Sequence, residues 1–296
     1  MRQFYLGGRF GVRVCFGLTG YLLGQVTMNR LRTTLLLLAL PPLWTPVLEA
    51  QQPFPYRLQA GREIGLAGAG VVLLGAGALV GKGQDPLSAA EVAALDRQEI
   101  NGFDRGATSQ WSTGAGTASD VMVWSLRASP VALMVTRPGS SAPITLGVMY
   151  AESILLGDGL VNLLKTVTDR TRPYAYNENP AIPQEDKESL HAVRSFPSGH
   201  TAHAFVSVVF LNTVFGRLKP DSPLRPWLWA GGLTAAGTVG YLRYASGNHF
   251  PTDILAGAAI GSLAGWAIPK IHESDAVRVS VLPSGDRTTL GVSLAF

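Results

Sequence analysis

Arg194-Ser195-Phe196-Pro197-Ser198-Gly199-His200-Thr201 packs a rigid turn, a hydroxyl, a bare backbone and a titratable ring into one short stretch. Pro197 fixes its own φ, and Gly199 lets the backbone approach a ligand closely. An apolar run beginning at Ala204 predicts a helix whose first turn lies at Ser198 to His200. Backbone N–H groups in such a turn point toward an anion, so the stretch reads as a phosphate cradle at a helix N-terminus. It also reads as an ordinary helix-opening turn with Ser198 as N-cap, and alone it does not decide between the two.

Two further stretches weigh toward the cradle. Upstream, Lys165-Thr-Val-Thr-Asp-Arg-Thr-Arg172-Pro173 sets a Lys and an Arg seven residues apart, followed by proline, at the end of a long apolar run. Downstream, Arg243-Tyr-Ala-Ser-Gly-Asn-His249-Phe-Pro-Thr-Asp253 carries a second His followed four residues later by a carboxylate. Together the three resemble the signature of the type 2 phosphatidic acid phosphatase superfamily, K-x6-R-P, then P-S-G-H, then S-R-x5-H-x3-D. Order and spacing agree. One position departs, Leu242, where the family has a serine that makes a minor phosphate contact, so one hydrogen bond is in question and the chemistry is not. The resemblance covers Lys165 to Asp253 by motif and most of the chain after residue 60 by its pattern of apolar helices.

The resemblance implies a metal-independent hydrolase acting on phosphoric esters, with no cofactor. His249 attacks phosphorus to form a phosphohistidine, and His200 protonates the leaving oxygen. Lys165, Arg172, Ser198, the Gly199 amide and Arg243 bind the phosphate. These residue types suit the task. A phosphate monoester carries about two negative charges, and its displacement spreads charge over the equatorial oxygens, which fixed cations and backbone donors stabilise. Asp253, four residues after His249 and just inside a helix opened by Pro251, is placed to accept one ring N–H and leave the other nitrogen free. His203 matches no family position and reads as a packing residue. Arg170 and Arg194 read as readily as solvated helix-end cations. No Cys pair or His-Glu-x-x-His is present, and the cations of the proposed site repel a metal, so no metal is expected there.

Composition agrees with a membrane setting. The chain has 296 residues, 47% hydrophobic and only 15% charged, with 34 glycines. This suits helices packed through small residues in a bilayer. The net charge of +4 is scattered, which excludes a nucleic-acid surface. Cys15 stands alone and cannot form an internal disulfide. Residues 28–50 have the basic start, apolar centre and small final residue of a secretory signal peptide, with Met28 as its natural start; an uncleaved anchor is the alternative. The expected division is 1–50 for this extension, 51–272 for a helical phosphatase domain and 273–296 for a tail.

Apolar runs at Ile64–Gly81, Val121–Val135, Ile144–Leu164, Ala202–Phe215, Trp227–Leu242 and Ile254–Ile268 predict an all-α, six-helix membrane bundle. Arg127, Glu152 and Asp158 interrupt these runs and are expected to pair between helices. Leu95–Arg105 reads as an amphipathic segment on the membrane surface or a solvated connecting helix. The tail alternates through Leu282, turns at Pro283 to Asp286 and alternates again to Phe296, which predicts a β-hairpin. The expected substrate is a phosphorylated lipid such as phosphatidic acid, phosphatidylglycerol phosphate, a polyprenyl pyrophosphate or a lipid A phosphate. The expected place is the bacterial inner membrane with the site facing the periplasm, because Arg137, Arg217, Lys219, Arg225 and Lys270 mark the opposite side as cytoplasmic. Alternatives are a soluble periplasmic acid phosphatase, a vanadate-dependent haloperoxidase and a non-catalytic membrane protein. Nothing in the sequence sets the oligomeric state.

Overall fold

The computed structural model describes residues 54–136, 142–273, 278–284 and 287–293. Phe54–Ser274 forms one compact unit. Its helices are α1 Ala60–Val80, α2 Ala89–Ala93, α3 Thr113–Ala128, α4 Val131–Val135, α5 Pro143–Thr168, α6 Gln184–Lys187, α7 Gly199–Leu218, α8 Arg225–Ala245 and α9 Pro251–His272. Proline stands at the first turn of α5, α8 and α9, where its missing N–H costs nothing. α5 ends where Asp169 takes a left-handed conformation, φ 45°.

Four of these segments are long and apolar enough to cross a membrane: Ala60–Gly83, Pro143–Tyr176, Gly199–Leu218 and Pro251–His272. Outward-facing Ile64, Val71, Val72, Leu79, Ile144, Leu255, Leu263 and Trp266 are exposed along them. α3 and α8 fall outside that set. The run expected over Val121–Val135 is two pieces, because Pro130 cannot donate within a helix and clashes with the preceding turn. α3 instead begins earlier, at Thr113, capped by the Ser112 side chain, which accepts from the Ala115 N–H.

Close backbone approach organises the bundle. A Cβ on Gly257, Gly261 or Gly265 of α9 would lie 2.4, 2.2 or 2.5 Å from the carbonyl oxygens of Ser198, Ala202 and Val206 on α7. The two helices therefore run parallel, stacked at every turn along this seam. α1 lies parallel to α5 in a similar way, with Gly70 seated against Leu155 and Gly77 against Asn162. A third contact, Gly232 of α8 against Val208 of α7, fixes an antiparallel neighbour.

The charges inside the bundle do pair between helices. Arg127 Nη1 donates to His203 Nδ1 at 2.8 Å, so the His203 proton sits on Nε2 and is shared with Asp158. Glu152 lies beside His272. The segment Leu95–Arg105 is neither an interfacial helix nor a solvated one. It folds into short 3₁₀ turns at Arg97–Glu99 and Arg105–Ser109, because Asp104 is drawn into the interior by hydrogen bonds described below.

The tail is described by itself. Arg278–Ser284 and Arg287–Ser293 pair antiparallel, from Arg278 opposite Ser293 to Ser284 opposite Arg287. The signal-like segment 28–50, Cys15, Arg137, Gly285, Asp286 and Phe296 lie outside the described residues.

The seam generates a stability prediction. Gly261→Ala improves helix propensity by about 1 kcal/mol but drives a methyl into the Ala202 carbonyl, so it should lower the melting temperature in detergent with a net cost of about 1–3 kcal/mol. Gly237→Ala on α8 meets nothing within 4 Å and should leave that temperature unchanged or raised.

Candidate active site

The three sequence stretches meet at one end of the bundle. Ser198 N–H donates to the Asp253 carbonyl at 2.9 Å, which ties the start of α7 to the start of α9. Tyr174 N–H donates to the Gly247 carbonyl at 3.0 Å, which ties the segment after α5 to the α8–α9 connection. Gly247 sits at φ 72°, and any Cβ there would lie 2.3 Å from the Gln110 carbonyl, so only glycine closes this connection. The Phe196–Pro197 peptide is cis.

The three expected phosphate-binding cations are held by neutral acceptors. Lys165 Nζ donates to the carbonyls of Arg194 and Ser195 at 2.8 and 3.4 Å. Buried Arg172 donates from Nε to the His191 carbonyl at 2.8 Å and from Nη1 to Asn248 Oδ1 at 3.0 Å. Arg243 donates from Nη1 to Ser119 Oγ at 3.2 Å, while its buried Nε has no hydrogen bond. Its nearest carboxylate oxygen is Asp120 Oδ1 at 3.5 Å. The positive charges of Lys165 and Arg172 are therefore left to act on an incoming anion, and that of Arg243 is only partly offset by Asp120.

The histidines and Asp253 are assembled with differences from expectation. His249 is buried, and its Nδ1 lies 3.5 Å from Asp253 Oδ2, within ion-pair range but beyond a hydrogen bond. The cause is prior commitment: Asp253 Oδ2 accepts from Ser195 Oγ at 2.6 Å and from the Phe250 N–H at 2.9 Å, and Oδ1 accepts from Arg170. Ser198 is the N-cap of α7. Its buried Oγ accepts from the Thr201 N–H and lies 2.8 Å from Thr201 Oγ1. Gly199, the first residue of α7, is half-buried beside Val161 and Lys165. His200 is half-exposed, with Nε2 2.7 Å from Asp120 Oδ1.

Four participants were not assigned to the site from sequence. Asp120, on the second turn of α3, joins His200 and Arg243, two residues from different motifs. Arg170 is not a solvated helix-end cation: it bridges Asp253 and the fully buried Asp104, and stacks its guanidinium 4.2 Å from the Phe250 ring. Asp104 also accepts from the N–H and hydroxyl of Thr252 at 3.0 and 2.7 Å. Burial pushes the Asp104 carboxyl up, but Thr252, Asn101 and Arg170 outweigh it and hold the group below the usual carboxylate range. Asn248, the hinge of the last motif onto Arg172, sits at an unmarked motif position.

Against this geometry the relatives are informative. The sequence profile of the PAP2 superfamily matches residues 146–275, which contain all eight of the expected site residues. The chain is 30% identical to the bacitracin transport permease protein BcrC of Bacillus licheniformis over 154 residues, 48% of this chain and 68% of that one. It is 36% identical over 74 residues to a lipid A 1-phosphatase of Porphyromonas gingivalis, 25% of this chain and 15% of that one. It is 27% identical over 146 residues to an undecaprenyl-diphosphatase of Sulfolobus acidocaldarius, 49% of this chain and 63% of that one. The chain belongs to the PAP2 superfamily. It spans less than two thirds of the lipid A 1-phosphatase and the undecaprenyl-diphosphatase.

His249 is the electrostatic focus of the cluster. Burial first, and then the charges of Arg172, Lys165 and Arg243, hold its imidazole well below its ordinary value of 6.5, so the ring is neutral near pH 7. As pH falls below about 6.5 the unfolded chain takes up a proton that folded His249 refuses, so this residue makes folding less favourable by up to about 1.4 kcal/mol per pH unit. His249→Asn removes that uptake. Melting temperatures followed from about pH 7.5 to pH 5 should fall less steeply for the variant than for the wild type.

Proposed function

We propose that this protein is a membrane-embedded lipid phosphatase that releases phosphate from a phosphomonoester or pyrophosphate headgroup through a phosphohistidine on His249. The convergence of Lys165, Arg172 and Arg243 on a buried neutral histidine carries this reading. Nδ1 of His249 faces Asp253, which leaves Nε2 to attack phosphorus. The cations and the first amides of α7 bind the equatorial oxygens. As the bond from phosphorus to the lipid oxygen breaks, His200 delivers a proton to that oxygen, with Asp120 holding its ring in place through Nε2. Water then attacks the phosphohistidine, His200 takes the proton, and orthophosphate leaves with His249 restored. The 3.5 Å gap between His249 and Asp253 closes when positive charge develops on the ring, since such contacts often tighten only in the loaded site. No metal enters these steps, because three fixed cations already occupy the metal's role.

A lipid substrate is favoured by an apolar groove lined by Phe103, Tyr241, Tyr244, Pro251, Ile254 and Leu255, which lies beside the connection that carries His249. It is favoured also by relatives named for lipid A and undecaprenyl substrates. Among the described residues little covers the apolar length of α1, which disfavours the soluble acid phosphatase. Phosphatidic acid, phosphatidylglycerol phosphate, polyprenyl pyrophosphates and lipid A phosphates all remain in the substrate class.

All six helices of sixteen residues or more among the described residues are proposed to cross the bilayer, α3 and α8 included. α1 parallels α5 with α3 between them in sequence, which fits alternate crossings and makes the first run a span. The catalytic end then shares the periplasmic side, opposite the basic connection from Arg217 to Arg225 and Lys270.

Phosphate release from a panel of lipid and soluble phosphoesters should vanish in His249→Ala and fall by about 10²- to 10⁴-fold in Asp253→Asn, which loses only the orienting carboxylate. Wild-type-like turnover by His249→Ala overturns the mechanism. For orientation, Glu185→Cys in a Cys15→Ser background should react with a membrane-impermeant thiol reagent in right-side-out inner-membrane vesicles. Reaction only after the vesicles are opened places the site on the cytoplasmic side.

A further inference from the structure

At the other end of the bundle, three ionisable side chains from three helices point at one another. Glu63 stands in the first turn of α1, Glu152 in the third turn of α5, and His272 is the last residue of α9. Glu152 and Lys165 are thirteen residues apart on one helix, about 20 Å along its axis, so this cluster is separate from the catalytic one. His272 is fully buried and Glu152 is 4% exposed.

The hydrogen bonds determine what the histidine offers. Its Nδ1 lies 2.8 Å from the Ile268 carbonyl, which can only accept, so Nδ1 carries a proton. Nε2 then faces the two carboxylates, 3.1 Å from Glu63 Oε2 and 3.2 Å from Glu152 Oε2. Glu63 has other donors: Arg62 on both oxygens and the Gln59 N–H on Oε1. Glu152 has none. Neither of its oxygens makes a hydrogen bond among the described residues, although the side chain is buried. A single Nε2–H cannot point at both carboxylates, so its 3.2 Å approach to Glu152 is an ion-pair contact without a hydrogen bond, and a buried carboxylate with no hydrogen bond is costly.

The geometry points to a divalent transition-metal site, with Zn²⁺ the best-suited ion, formed by Glu63, Glu152 and His272 Nε2. The three ligand atoms lie within 4.8 Å of one another. Apices of a tetrahedron with arms of about 2.0 Å are about 3.3 Å apart, close to the 3.1 and 3.2 Å found here. A backbone carbonyl bonded to the second ring nitrogen is the usual way a protein fixes the tautomer of a metal-bound histidine. Two carboxylates, partly offset by Arg62, leave net negative charge to attract a dication, and water completes the coordination. The ion joins α1 to α5 and α9, and α1 is the helix with the least protein around it. Its role is structural, and it does not alter the metal-free chemistry proposed at the opposite end.

The test uses the full chain, purified in detergent without chelator or polyhistidine tag. Bound metal should approach one Zn²⁺ per chain, and Zn²⁺ should raise the melting temperature of chelator-treated protein by several degrees. Glu152→Gln, which keeps the shape of the side chain, should bind at least tenfold less metal and lose the Zn²⁺-dependent rise; Glu63→Gln serves if Glu152→Gln does not fold. Co²⁺ should give the visible absorption of a tetrahedral site in the wild type and not in the variant. A wild type whose melting temperature ignores Zn²⁺, Mn²⁺ and Co²⁺, or metal content unchanged in the variants, overturns the site and leaves an ion-paired histidine.

Discussion

The contact on which the rest depends is backbone against backbone, between α7 and α9. Gly257, Gly261 and Gly265 let the two helices approach until the space for a methyl group is gone. In lipid there is no hydrophobic gain in bringing helices together, so association relies on close packing of this kind. The seam has a positional consequence. The register sets Ser198, just before α7, against the first two turns of α9, with its carbonyl at Gly257 and its N–H donating to the Asp253 carbonyl. His200 on one helix and His249 just before the other are then presented to one space. The catalytic geometry is a by-product of how closely two helices are permitted to lie.

Charge at that end is sorted into two separate groups. Asp104 and Asp253 share Arg170, and hydroxyls and amides complete their coordination. This network sets one guanidinium between two carboxylates, and its hydrogen bonds stiffen the base of the site. Lys165 and Arg172, by contrast, bond to carbonyl and amide oxygens, and Arg243 comes only to 3.5 Å from an exposed carboxylate. Burying unneutralised cations is costly, and a fold retains such an arrangement when an anion completes it. The same field holds His249 neutral, which is the state a nucleophile needs.

Much of this was legible in the chain because motif residues are spaced by the helices that carry them. Lys165 and Arg172 bracket the end of α5, and His249 and Asp253 bracket the start of α9, so local spacing reports them. Asp120 and Asp104 could not be found in that way. Each meets its partner across a gap in sequence that only the packing of α3, or of the turns before it, closes. Arg170 looked like a solvated helix end because its acceptors lie sixty or more residues away in both directions. Ser198 was ambiguous for a different reason, since cap and cradle use the same side chain, and the structure shows it as the cap of α7. The break at Pro130 was masked by the apolar residues on either side, which continue the hydropathy but not the helix.

The sorted charges also bear on what happens after reaction. A pocket in which Lys165 and Arg172 bond only neutral oxygens and Arg243 is only partly offset by Asp120 is as attractive to inorganic phosphate as to an esterified headgroup, because both present the same oxygens. Charge therefore cannot tell substrate from product; on the proposed function that falls to the lipid portion, for which the groove by Tyr241 and Ile254 offers an apolar surface. On the proposed function, released phosphate competes with the substrate for the same cations, and turnover falls as the phosphate content of the surrounding compartment rises.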